Sequence, residues 1–84
     1  MPAIFASTAS IFFAAMLAFD DPMHITKQDR EVDGEARWQT VGLVRGVLLL
    51  LVAHTIEDED EEVIRILSAR EVDAHERRGY EEGL

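Results

Sequence analysis

The chain has 84 residues, enough for one small domain that buries a modest share of its surface, so an apolar face left open calls for a covering partner. It contains no cysteine, which excludes disulfides, thiolate zinc sites and thiol redox chemistry and fits a reducing cytoplasm. Its net charge of −9 argues against non-specific nucleic-acid binding, which neutralises phosphates with Lys and Arg, so any RNA contact must come from a local basic patch.

The first 19 residues carry no charge and hold Ile4, Phe5, Ile11, Phe12, Phe13, Met16, Leu17 and Phe19. No basic residue precedes Lys27, which argues against a signal peptide. Ser7, Thr8 and Ser10 interrupt the run and Asp20-Asp21-Pro22 stops it, which argues against a membrane span of about 20 apolar residues. The spacing of Ile11, Phe12, Ala15, Met16 and Phe19 predicts a helix with Ser10 as its cap. With Phe12, Met16 and Phe19 expected to be buried, Phe13 and Leu17 make the other, exposed face apolar as well, so this helix expects a deep core or a second chain. Residues 23–34 are polar with β-prone spots at His24-Ile25-Thr26 and Val32, and read as a connector or a weak edge strand.

Trp38, Thr40 and Val41 favour a strand over Glu35 to Leu43. Val44-Arg45-Gly46 is a short turn that sends the next strand back antiparallel. Val47 to Thr55 is apolar at almost every position and predicts a central strand covered on both faces. The acidic run 57–62 is expected to be a solvated connection, with a docking site for a basic partner as the alternative. Val63 to Ala69 returns as a third strand. Asp73-Ala74-His75-Glu76 has the spacing of a reciprocal helix cap, so a helix should start near Ala74 and end at Gly83. The expected class is α+β: an N-terminal helix, a three-stranded antiparallel sheet and a short C-terminal helix in a single domain spanning the chain.

Five pieces carry a resemblance to a known family: the Glu35-Ala36-Arg37-Trp38 strand start, Gly42, the His54-Thr55 strand end, Arg65-Ile66-Leu67-Ser68-Ala69-Arg70, and Glu76-Arg77-Arg78-Gly79-Tyr80. In this order they resemble the BrnT toxins of bacterial type II toxin–antitoxin pairs, well over residues 35–82 and loosely over 12–22. The resemblance implies a fold similar to the RelE ribonucleases, RNA as substrate, a BrnA-like cognate antitoxin as protein partner, DNA contact only through that antitoxin, and no cofactor. Members usually open with a strand ending in W-D-P and an N-x-x-K-H-G segment; here only Met1 to Ser10 precede the helix. Phe13-Ala14 replaces an E-E pair, and a histidine often seen before the E-x-R-W strand start falls near Glu31. These departures lead us to expect a weakened nuclease and an RelE-like sheet truncated at its N-terminal edge. Met1 to Ala6 as a short strand, or a homo-oligomer, would cover that edge.

Cleavage by the neighbouring 2′-hydroxyl needs a base, an acid and a cation. The catalytic candidates are His54, Arg65, Arg70, Glu76 and Tyr80, with Arg77, His75, Trp38 and Arg37 as candidates for contacting substrate or partner. Each has a structural alternative: His54 as a hydrogen-bonded core histidine, one of Arg65 and Arg70 as an ion-pair former with Glu35 or Glu76, the helix residues as a solvated face. Simple alternation puts Arg65 and Arg70 on opposite sheet faces unless the strand bulges. Three readings follow: a ribonuclease toxin, a non-catalytic module that binds a DNA-binding antitoxin, or a protein that self-assembles through its apolar helix.

Overall fold

The computed structural model describes residues 8–58 and 60–83. Two helices and four strands follow in the order α1 (Thr8–Ala18), β1 (Ile25–Val32), β2 (Glu35–Val44), β3 (Leu48–Asp58), β4 (Glu62–Glu71) and α2 (Ala74–Glu82). The strands form one antiparallel sheet in sequence order, so β3 is central and β1 and β4 are the edges. The α+β class holds, with one strand more than expected. The polar segment read as a connector or weak edge strand is β1, paired along β2 from Ile25 opposite Val41 to Val32 opposite Glu35. Its turn explains it: Asp33 and Gly34 both have positive φ, as a two-residue hairpin of the mirror-image type requires. The edge of β2 that the sequence reading left open is thereby filled. The alternative cover, a strand over Met1 to Ala6, lies outside the described residues.

Arg45 and Gly46 repeat the positive-φ turn between β2 and β3, closed by the Val47 amide donating to the Val44 carbonyl at 3.1 Å. The β3–β4 hairpin runs farther than expected. Glu57 lies opposite Val63 and Asp58 opposite Glu62, so Glu57, Asp58 and Glu62 of the acidic run extend the two strands instead of looping out. Arg65 offsets part of that charge from β4, with a guanidinium nitrogen 3.0 Å from Glu57.

Leu50 and Val52 of β3 are fully buried under α1, with Val44 beside them, while their neighbours Leu49 and Leu51 are buried on the opposite face. Coverage on both faces of the central strand is therefore as expected. The helix meets the sheet differently. Its buried residues are Ala15 and Ala18, with Ala14, Leu17 and Phe19 packed around them, and Phe13 and Met16 are more than half exposed. The expected burial of Met16 and exposure of Leu17 are corrected by close approach: a β-carbon at Gly42 would overlap the Ala18 carbonyl, so the helix comes in on its small residues. It begins at Thr8, which places Ser10 inside the helix and not at its cap. No helix among the described residues is long and apolar enough to cross a membrane.

Candidate functional site

The second helix lies over the sheet face opposite α1. Asp73 caps it: its carboxylate accepts the Glu76 amide at 2.8 Å, and Glu76 returns by accepting the Asp73 amide at 2.9 Å. The same Glu76 carboxylate takes both terminal nitrogens of Arg70 from the end of β4, at 2.9 and 2.8 Å. The forked ion pair and the Asp73 amide outweigh partial burial and hold the Glu76 pKa down at about 2, while Glu76 raises that of Arg70.

Tyr80 stands one turn beyond Glu76 and donates its hydroxyl to Asp21 at 2.5 Å. Asp21 follows α1 and also accepts the Leu43 amide at 2.8 Å and the Met23 amide at 2.9 Å. Burial works to raise the Asp21 carboxyl, but these donors, Tyr80 foremost, and nearby His24 prevail and lower it. The bond to Asp21, burial and the carboxylate's charge push the Tyr80 phenol up to about 12. Its proton is thus committed to Asp21 across the neutral range.

Between α2 and the sheet lies a cleft of about 330 Å³. Lys27 and Gln39 face each other across β1 and β2 on its floor, next to Ile25, Val41 and Leu51, while His75, Glu76, Arg78 and Tyr80 come from the helix. The floor residues share one face because β1, β2 and β3 are in register there: Ile25 opposite Val41 opposite Leu51, and Leu51 opposite Arg70.

The candidates named from sequence divide between the two faces. Arg70, Glu76, His75 and Tyr80 gather at the α2 face. Arg65 joins that face because β4 bulges: Ala53 pairs with Ser68 but His54 pairs with Ile66, which leaves Leu67 extra and sets Arg65 opposite Thr55. Arg37 also takes this face, next to Trp38, and its guanidinium is 3.7 Å from Glu35. Of the two ion-pair partners considered for the β4 arginines, Glu76 is found on Arg70, whereas Arg65 pairs with Glu57. Arg77 is exposed on α2 and does not line the cleft.

His54 and Trp38 lie opposite one another on the α1 face. The His54 ring is 1% exposed; Nε2 is 2.8 Å from the Thr40 hydroxyl, which is 2.7 Å from that of Thr26, and Phe19 meets the ring edge-on at 5.0 Å. Burial lowers its pKa, and the Thr55 backbone only partly offsets this. The sequence reading passed over Asp21, Lys27, Gln39 and Arg78. The signal for Lys27 was available: once Asp33-Gly34 is read as a hairpin turn, strand alternation puts Ile25 and Lys27 on one face.

The molecule is thus a small antiparallel α+β domain with an imidazole-bearing cleft under its last helix, where Lys27 and Arg78 are set among Glu76 and Glu82. Its sequence matches the family model described as "Ribonuclease toxin, BrnT, of type II toxin-antitoxin system" over residues 10–76, and the chain belongs to that family. A search of curated protein sequences gives no significant match. Membership makes it the toxin component of a toxin–antitoxin pair, and implies an antitoxin as partner and RNA as substrate.

Proposed function

We propose that the chain cleaves single-stranded RNA in the cleft between α2 and the sheet. The observation that carries this reading is the rigid Arg70–Glu76 fork beside a cleft that also presents His75 and Tyr80. In the proposed step the 2′-oxygen bonds to the adjacent phosphorus and the 5′-oxygen leaves, giving a 2′,3′-cyclic phosphate and a 5′-hydroxyl. A base takes the 2′ proton and an acid returns one to the leaving oxygen. His75 is the group in the cleft suited to that transfer. Arg70 stabilises negative charge on the phosphate, and Glu76 positions it. Tyr80, its hydroxyl held by Asp21, offers its ring to a base. Arg65, Arg37 and Arg77 extend the positive field to flanking phosphates. His54 and Trp38 act from the other face as packing.

The cognate antitoxin, BrnA-like in this reading, silences the toxin in the cytoplasm by covering the α2 face. One observation favours the rival non-catalytic module: Arg70, the expected phosphate cation, already has a carboxylate on both terminal nitrogens. Incubating the purified protein with single-stranded RNA decides between the two. Cleavage that falls by about 100-fold in Arg70→Ala and in His75→Ala supports the enzyme. Products from the wild type that persist undiminished in both variants would sink the site.

A further inference from the structure

The cleft holds a cation that sequence reading did not use. Lys27 lines it from β1, facing Gln39 on the floor and opposite a helical wall of His75, Glu76, Arg78, Tyr80 and Glu82. Among the described residues, ion pairs occupy Arg37, Arg65 and Arg70, whereas the two cations that line the cleft, Lys27 on its floor and Arg78 on its helical wall, are in none of them. Of the two, Lys27 is the one set beside Gln39 on the rigid sheet. Arg70 stands beside the cleft behind Glu76 and does not line it. The one structural role open to a lysine here is to blunt an edge strand. Exposed charges of β1 outside the cleft, such as Arg30, serve that role equally well.

We propose that Lys27 is the side chain that binds the scissile phosphate, an assignment that rests on the RNA-cleaving reading above. An ammonium on a flexible stem is a compact point charge that can follow a phosphate whose negative charge grows as the 2′-oxygen attacks. Gln39, its cross-strand partner, is placed to donate a hydrogen bond to the same group or to a neighbouring base. The division of labour is then Lys27 in direct contact with the phosphate, Arg70 adding positive charge from beside the cleft with Glu76 orienting it, and His75 on the proton.

The test uses the full chain with Lys27→Ala, Lys27→Arg and, as a control for general edge charge, Arg30→Ala. Two readouts are taken: the rate of cleavage of single-stranded RNA, and binding of a short 2′-O-methyl oligoribonucleotide, which lacks the attacking hydroxyl, across a salt series. Lys27→Ala should slow cleavage by about 100-fold, Lys27→Arg should recover most of it, and Arg30→Ala should match the wild type. Loss of one phosphate contact should also flatten the slope of log affinity against log salt by about 0.7. Wild-type cleavage that persists in Lys27→Ala with an unchanged salt slope overturns the Lys27 assignment alone. An equal loss in Arg30→Ala overturns it too, in favour of diffuse charge. A wild type that neither cleaves RNA nor binds the oligoribonucleotide overturns the RNA-cleaving reading itself.

Discussion

Asp21 joins three distant parts of the chain through one carboxylate: its own loop after α1, the Leu43 amide near the end of β2, and the Tyr80 hydroxyl of α2. Leu43 lies two residues past Val41, the last β2 residue paired with β1, so Asp21 satisfies an amide that a longer edge strand would have taken. A hydrogen bond to a charged acceptor contributes about 1.5–3 kcal/mol, less where water reaches it. Tyr80→Phe should therefore lower stability by about 1–2 kcal/mol in urea unfolding. The Arg70–Glu76 fork contributes a pH dependence. The folded Glu76 pKa of about 2 lies below its ordinary 4.5, so the folded state holds the proton less tightly. That stabilisation is fully present above pH 4.5 and fades as pH falls toward 2, and the lowered Asp21 carboxyl acts in the same direction. Arg70 is half exposed, so after solvent screening the Glu76 part is about 1 kcal/mol. Urea midpoints at pH 6 and pH 3 should show a larger acid loss in the wild type than in Arg70→Met.

The elements differ in how plainly the sequence announces them, and the difference is physical. β2, β3 and α2 carry their own signals: β-branched and aromatic content, an apolar run with water excluded on both sides, and a reciprocal cap realised residue for residue by Asp73 and Glu76. β1 has no such signal, because an edge strand wet along most of its length needs no alternation, and its identity rests on the Asp33-Gly34 turn. The β4 bulge is set by tertiary register, which a regular alternation cannot foresee, and it decided whether Arg65 and Arg70 share a face. For the same reason the cleft and its supports were half legible: Glu76, His75, Tyr80 and the Arg70 beside them were named from their own segment, whereas Lys27 on the floor and Asp21 behind Tyr80 depend on pairings across the chain. The face that α1 turns to the sheet was hidden too, because it is chosen by the gap over Gly42 and not by hydrophobicity. Gly42→Ala tests this. The added methyl meets backbone and not a flexible side chain, so α1 must shift, at a cost of about 2–3 kcal/mol. A thermal unfolding curve with no loss would show that the helix rides more loosely than described.

At the scale of the molecule, the described residues cover the apolar helix on one side only. Phe13 is 58% and Met16 57% exposed, and the missing cover fits a second copy of the same helix across a two-fold axis. Sedimentation of the purified chain at micromolar concentration should give a dimer, and Phe13→Glu should give a monomer that still folds. A monomeric wild type would instead assign that patch to another protein, such as the antitoxin. Charge is distributed unevenly: carboxylates crowd the far end of the β3–β4 hairpin, while Lys27 and Arg78 line the α2 cleft together with Glu76 and Glu82. The contact between Asp21 and Tyr80 bridges 59 positions, with the whole sheet lying between them in sequence. The helical wall of the cleft therefore depends on both ends of the chain, and a chain cut short of Tyr80 has no assembled site.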